Sequence, residues 1–242
     1  MRVTRVFVDA PLVIGQRRQV EGSAANHIAR VLRLEVGDML TLFDGRGGEY
    51  AGNIDAIGRG FVSVQVREHR PLERESSLDL TLAQGISRGE RMDWVVQKAT
   101  ELGVSRIAPL LTGRSVVHLD VSQARKKLEH WRAIAVAACE QSGRNRIPEI
   151  LEPHALAGFL LASRDGARLL LSHRAKQRLV DIPSAGAPVT VLIGPEGGFS
   201  EDEQHTAQAA GYIPARLGPR VLRTETAAVA ALTLLQQRFG DL

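Results

Sequence analysis

Apolar and polar positions alternate in short runs over residues 1–70, at the period of half-buried strands. VTRVFV (3–8), DMLTLFD (38–44), YAGNIDAIG (50–58) and FVSVQVRE (61–68) are such runs, and turn chemistry such as DGRGG (44–48) separates them. One segment breaks the alternation. SAANHIARVLR (23–33) sets Ile28, Val31 and Leu32 at helical spacing and predicts a short helix with a narrow apolar face. A small β-barrel over residues 1–72 is expected, and the polar stretch PLERESS (71–77) reads as the connection to a second domain over 73–242.

The rhythm then changes to strand followed by helix. LDLTLAQG (78–85) and VSRIAPLL (104–111) read as strands. Between them a helix over 89–102 puts Met92, Val95, Val96, Ala99 and Leu102 on one face and ends at Gly103. A longer helix over 122–141 is expected to bury Leu128, Trp131, Ile134, Ala135 and Ala138, and Trp94 and Trp131 both read as core residues. ARLLLS (167–172), VTVLIG (189–194) and IPARLG (213–218) are further strands, and the last helix spans 224–239. Its AAVAALTLL core is apolar over most of the circumference, which predicts burial in the core or against a second subunit. Repeated strand–helix units make the second domain α/β with a mostly parallel sheet.

Two loops interrupt this pattern where ligands bind, after parallel strands. LIGPEGGFSEDE (192–203) is glycine-rich, yet the chain has no Gly-Lys pair, and Gly194, Gly197 and Gly198 do not have dinucleotide spacing. Ser200 and Glu203 form a capping-box pattern, and Glu201, Asp202 and Glu203 place negative charge at the helix start. A phosphate is therefore disfavoured, and an uncharged or mixed-charge ligand held by backbone fits better. LGPRVLRTETAA (217–228) is the second loop, with Thr224 the expected helix cap. Arg220 and Arg223 stand before that helix, where positive charge is unfavourable; residues placed against local preference mark function.

Composition narrows the possibilities further. Hydrophobic residues are 44% and charged residues 24% of 242, and no apolar run has the length of a membrane span. The start, MRVTRVFVDAP, lacks an apolar export signal, and the lone Cys139 reads as a small core residue on a helix, so a cytoplasmic protein is expected. No Cys/His cluster has metal spacing, so no metal is expected. The net charge is +4, with 31 basic residues of which four are lysines. Residues 76–150 carry the excess, with 11 basic and 8 acidic residues. Arginine suits phosphate and base recognition through its planar fork, and an arginine-rich genome gives the same count. Composition leaves both open.

The pair LIGPEGGFS and LGPRVLRTETA resembles the signature of the bacterial 16S ribosomal RNA uridine N3-methyltransferase family, in the SPOUT class. The resemblance extends to NHIARVLRLEVGD (26–38), LFDGRGGEY (42–50), QKATELGVSRIAP (97–109) and HWRAIAVAACEQSGRNRIP (130–148). It implies a PUA-like RNA-binding barrel and a SPOUT α/β domain with a C-terminal trefoil knot, a homodimer, S-adenosylmethionine as cofactor and 16S rRNA of the small ribosomal subunit as partner. By the same resemblance, three loops would hold the cofactor: Leu171 and Ser172; Ile193, Gly194, Pro195, Gly197 and Gly198; Leu217, Gly218, Val221, Leu222 and Arg223. Arg223 is the candidate for stabilising the uracil oxyanion, and Glu196 for accepting the proton or balancing the sulfonium. Arg30 and Arg33, at i, i+3 spacing, are expected to share a helix face toward RNA. Arg5, Lys98, Arg114, Arg144 and Arg146 are further RNA-binding candidates by their place in matching segments. A non-catalytic RNA-binding assembly factor and a knotted methyltransferase with another RNA target are the competing readings.

Overall fold

The computed structural model describes residues 4–115, 119–162, 165–183 and 188–242. They form two units: residues 1–75 with 139–147, and residues 76–138 with 148–242. The return of 139–147 to the first unit is a feature that a single cut in the sequence does not capture.

In the first unit, strands β1 (Arg5–Phe7), β2 (Arg17–Glu21), β3 (Met39–Phe43), β4 (Glu49–Gly58) and β5 (Phe61–Arg70) form one sheet in the order β1-β3-β4-β5-β2. Its inward positions, among them Val6, Val20, Leu40, Leu42, Ile54, Val62, Val64 and Val66, make one core cluster. Alternate residues of β5 are buried, as the period of two requires. β2, with sequence RRQVE, carries little strand pattern of its own and is fixed by antiparallel pairing with β5.

The expected helical segment over 23–33 is present over 22–31, but its regular period is corrected. A short α1 (Gly22–Asn26) passes into one wide π turn, His27–Val31, closed by Leu32 N–H donating to His27 O at 2.9 Å. The wider turn breaks the 3.6-residue period. Ile28 is fully buried, whereas Val31 and Leu32 are exposed. Arg33 lies beyond the turn at φ 53°, so Arg30 and Arg33 do not share a helix face.

The second unit is a parallel sheet with the order β12-β10-β11-β6-β7-β8. Its strands are β6 (Leu80–Gly85), β7 (Arg106–Leu111), β8 (Glu149–Ile150), β10 (Ala167–Leu171), β11 (Val189–Ile193) and β12 (Ile213–Ala215), and the two-residue β9 (His154–Ala155) also pairs with β7. β12 is shorter than the expected 213–218. Every residue of β6 and β11 is buried, the signature of a sheet covered on both faces. α4 (Leu156–Leu161) and α5 (Glu201–Ala209) cover one cluster through Leu156, Phe159, Leu160 and Ala207. α2 (Glu90–Glu101) packs against α6 (Thr224–Phe239).

α6 buries Ala227, Ala228, Ala231, Leu232 and Leu235, while Val229, Ala230 and Leu234 stay partly exposed. α3 (Val121–Ser142) contains the buried Trp131, whose indole N–H donates to Asp93 Oδ1 at 3.0 Å. Trp94 is corrected: it is exposed, one position off the buried stripe of α2. Cys139 is a core residue as expected, its thiol pushed up to about 12 by burial. Among the described residues, no helix is long and apolar enough to cross a membrane, and no cluster of His, Cys, Asp or Glu could hold a metal ion.

Candidate active site

The cleft of the second unit forms at the carboxyl ends of β10, β11 and β12, where a parallel sheet presents its loops. It has a volume of about 640 Å³ and is lined by three chain segments, 171–174, 193–199 and 217–225, together with Arg91, Arg114, Glu201, Gln204 and Ala227. Leu171, Ser172, Ile193, Gly194, Pro195, Glu196, Gly197, Gly198, Leu217, Gly218, Val221, Leu222 and Arg223 all face it.

Local chemistry sets the middle loop. Ser200 is extended (φ −66°, ψ 165°) and caps α5: its Oγ accepts from Glu203 N–H at 3.1 Å, and Glu203 Oε2 accepts from Ser200 N–H at 2.7 Å. Glu203 Oε1 also accepts from Gly113 N–H at 2.7 Å, tying in the loop after β7. Gly198 turns the chain at φ 66°. Gly197 approaches the backbone of Arg114, whose guanidinium donates to Gly197 O at 3.2 Å. A Cβ on Gly85, at the end of β6, would run into the Pro195 ring.

The expected cap on α6 is corrected. Arg223 is the N-cap residue and contributes no side-chain capping bond. The Thr224 hydroxyl instead donates to Gly194 O at 2.6 Å, and Gln84 Nε2 donates to Gly194 O at 3.3 Å and to Thr224 Oγ1 at 2.9 Å. This buried clasp fixes the glycine loop to the helix carrying Arg223. Sequence reasoning missed it because Gln84 and Thr224 are 140 positions apart. His173, Arg174, Phe199 and Gln204 were also missed as lining residues, although Phe199 stands within LIGPEGGFS.

The electrostatics are uneven. Glu196 Oε1 accepts from Arg88 N–H at 3.0 Å and from Arg91 Nη1 at 2.8 Å. Burial alone would raise its pKa, but its own backbone N–H, that of Arg88 and the Arg91 guanidinium together hold it below the usual carboxylate value. Arg220 and Arg223 are exposed, and among the described residues neither side chain has an ion-pair partner.

The remaining arginine candidates divide. Arg5 pairs with Glu49 and donates to Asn145 Oδ1 at 2.5 Å and Arg144 O at 3.2 Å. Arg144 is buried and forks onto Glu75 at 2.5 and 3.2 Å. These two are internal ties of the first unit, with donors engaged by Glu49, Glu75, Asn145 and the Arg144 carbonyl. Lys98 is bound to Glu101 at 2.8 Å, and Arg146 lies 3.5 Å from Glu73. Arg30, Arg33 and Arg114 are exposed.

The family matches define the class, an RNA methyltransferase with a PUA domain. The family described as RNA methyltransferase PUA domain matches residues 20–67, and that described as RNA methyltransferase domain matches 74–236. Ribosomal RNA small subunit methyltransferase E of Buchnera aphidicola (subsp. Schizaphis graminum) is 34% identical over 242 residues, covering 100% of this chain and 98% of its own. The chain belongs to the ribosomal RNA small subunit methyltransferase E family. The Neisseria gonorrhoeae member, solved bound to S-adenosyl methionine, superposes with a TM-score of 0.93 at 33% identity over 100% of both chains. A putative methyltransferase from Legionella pneumophila, solved with the bound cofactor SAM, gives 0.97 at 41% identity, also over 100% of both.

Proposed function

We propose that this protein methylates N3 of a uridine in 16S rRNA of the small ribosomal subunit, with S-adenosylmethionine as methyl donor, as a cytoplasmic homodimer. The observation that carries the reading is that residues picked from three separated sequence segments line one cleft. The cleft suits that cofactor. Leu171, Ile193, Leu217 and Leu222 offer apolar walls for an adenine, Glu196 offers a fixed negative charge for a sulfonium, and the acidic, self-capped start of α5 repels a phosphate. Both solved relatives described above hold it.

When bound, the cofactor supplies an electrophilic methyl group; the chain's residues do the rest. Alignment is the largest contribution expected of the loops, which the clasp of Gln84 and Thr224 holds in one arrangement. Arg223, without a carboxylate partner among the described residues, stabilises the charge that builds on the uracil carbonyl oxygens as N3 loses its proton. Glu196, held anionic by Arg88 and Arg91, is a weak base, and its role is to balance positive charge. Exposed Arg30, Arg33 and Arg114 add salt-dependent affinity for the RNA backbone. The partly exposed Val229, Ala230 and Leu234 of α6 suit a subunit interface, and the C-terminal chain is taken to thread the trefoil knot of the SPOUT class.

Calorimetric titration with S-adenosylmethionine tests the reading first: the pure protein is expected to bind it, and no heat of binding would leave the RNA-binding assembly factor as the better account. Labelled methyl transfer to small subunits from a strain lacking this gene tests the rest. Label at a carbon or a ribose oxygen excludes N3, and label on another RNA replaces the target. Sedimentation reports the dimer.

A further inference from the structure

We propose that Glu225 is the group that accepts the N3 proton of the target uracil, an inference that rests on the methyl-transfer reading above. Among the described residues three carboxylates line the cleft: Glu196, Glu201 and Glu225. Glu196 is occupied by two donors and held below the usual carboxylate value. The Glu201 side chain is 81% exposed, with Arg174 at 3.9 Å. Glu225 differs from both. Its Oε2 is buried and has no hydrogen-bond partner among the described residues. A buried acceptor without a donor costs stability, and that cost is recovered when a ligand brings the donor.

The position supports the role. Arg223, Thr224 and Glu225 are consecutive at the start of α6, and the Thr224 hydroxyl is pinned to Gly194 O. A guanidinium and a carboxylate oxygen, neither with a partner among the described residues, therefore flank one fixed point of the cleft. The edge of uracil that carries N3 reads acceptor, donor, acceptor: a carbonyl oxygen, N3–H, a second carbonyl oxygen. Arginine meets a carbonyl oxygen and the carboxylate meets N3–H. Cytosine has no hydrogen on N3, and its lone pair there opposes the carboxylate, so the same residue selects uracil. His173 also lines the cleft, but it is exposed to water and holds no orphaned buried atom. In the step itself, the N3–H pair becomes the N3–CH3 bond, the methyl–sulfur bond breaks with its electrons staying on the now neutral sulfur, and the proton passes to Glu225 and then to solvent.

The test compares Glu225→Gln, Glu225→Asp and the wild type in single-turnover methyl transfer to the small subunit, S-adenosylmethionine titration and thermal melting. Glu225→Gln is expected to lose about 10²–10⁴-fold in rate, with cofactor affinity and melting temperature close to wild type. Glu225→Asp is expected to restore part of the rate. Binding of the unmethylated 16S segment should also show it: replacing the target uridine by cytidine should weaken the wild type and matter less to Glu225→Gln, whose amide can donate to cytosine N3. A Gln variant with near wild-type rate overturns the assignment, as does loss of cofactor affinity in step with rate, which would make Glu225 a cofactor contact. Full activity in Glu225→Gln with none in His173→Asn would move the role to His173. If the Gln variant does not fold, an Asp variant that folds without regaining any rate overturns it. A wild type that binds no S-adenosylmethionine brings down the methyl-transfer reading and this inference together; the other outcomes leave that reading standing.

Discussion

Arg5 and Arg144 in the first unit, and Arg220 and Arg223 in the second, look alike in sequence and are opposites in structure. The first pair is internal, bound to Glu49, Glu75 and Asn145. The second pair is exposed at the cleft with no carboxylate partner among the described residues. A buried arginine whose donors are satisfied within the chain holds structure, whereas an arginine left unpaired beside a cleft keeps its charge for a ligand. Counting arginines therefore says little; where their carboxylates lie says much.

The contrast is broken most directly at Arg144. Arg144→Met leaves the Glu75 carboxylate without its buried partner and is expected to cost about 3–5 kcal/mol of stability in urea unfolding. A variant that keeps its stability and loses RNA affinity would put Arg144 with the ligand-facing arginines. Next is Arg223→Ala, expected to lower turnover by about 10²–10³-fold while S-adenosylmethionine affinity stays near wild type; full activity would remove Arg223 from the chemistry. Thr224→Val deletes the hydroxyl that holds Gly194 beside that arginine, with an expected cost of about 1–3 kcal/mol in thermal unfolding and weaker cofactor binding, both restored in Thr224→Ser. The smallest effect is expected at Arg30. Arg30→Ala should reduce the slope of log affinity against log salt by about one unit without changing stability, and an unchanged slope would take Arg30 out of RNA contact.

What the sequence disclosed follows from how local each interaction is. The Ser200–Glu203 capping box closes within three residues, so LIGPEGGFSEDE already contained it. VTVLI, apolar but for Thr190, read as a strand from its own run, and all five of its residues are buried. The π turn at His27–Val31 did not show, because its apolar positions mimic an ordinary helix until the period slips. β2 depends on β5 for its pairing, and the Gln84–Thr224 clasp on a contact across the sheet. The partners that bury Arg5 and Arg144 are likewise remote: Arg5 is 44 positions from Glu49 and Arg144 is 69 from Glu75. The motif pair selected residues that do line one cleft, while the division into ligand-facing and internal arginines needed the distant carboxylates.

The carbonyls of the glycine loop have a consequence for the kind of recognition it offers. Gly194 O already accepts from Gln84 and Thr224, so both its lone pairs are committed. Pro195 O accepts from Gly198 N–H at 2.9 Å, and Gly197 O from Arg114. Proline itself brings no N–H. Three of the loop's carbonyls are thus committed to the protein, and at these positions what it turns to the cleft is chiefly a contour. A molecule lying against it is sorted by whether its outline fits, much as a mould sorts castings.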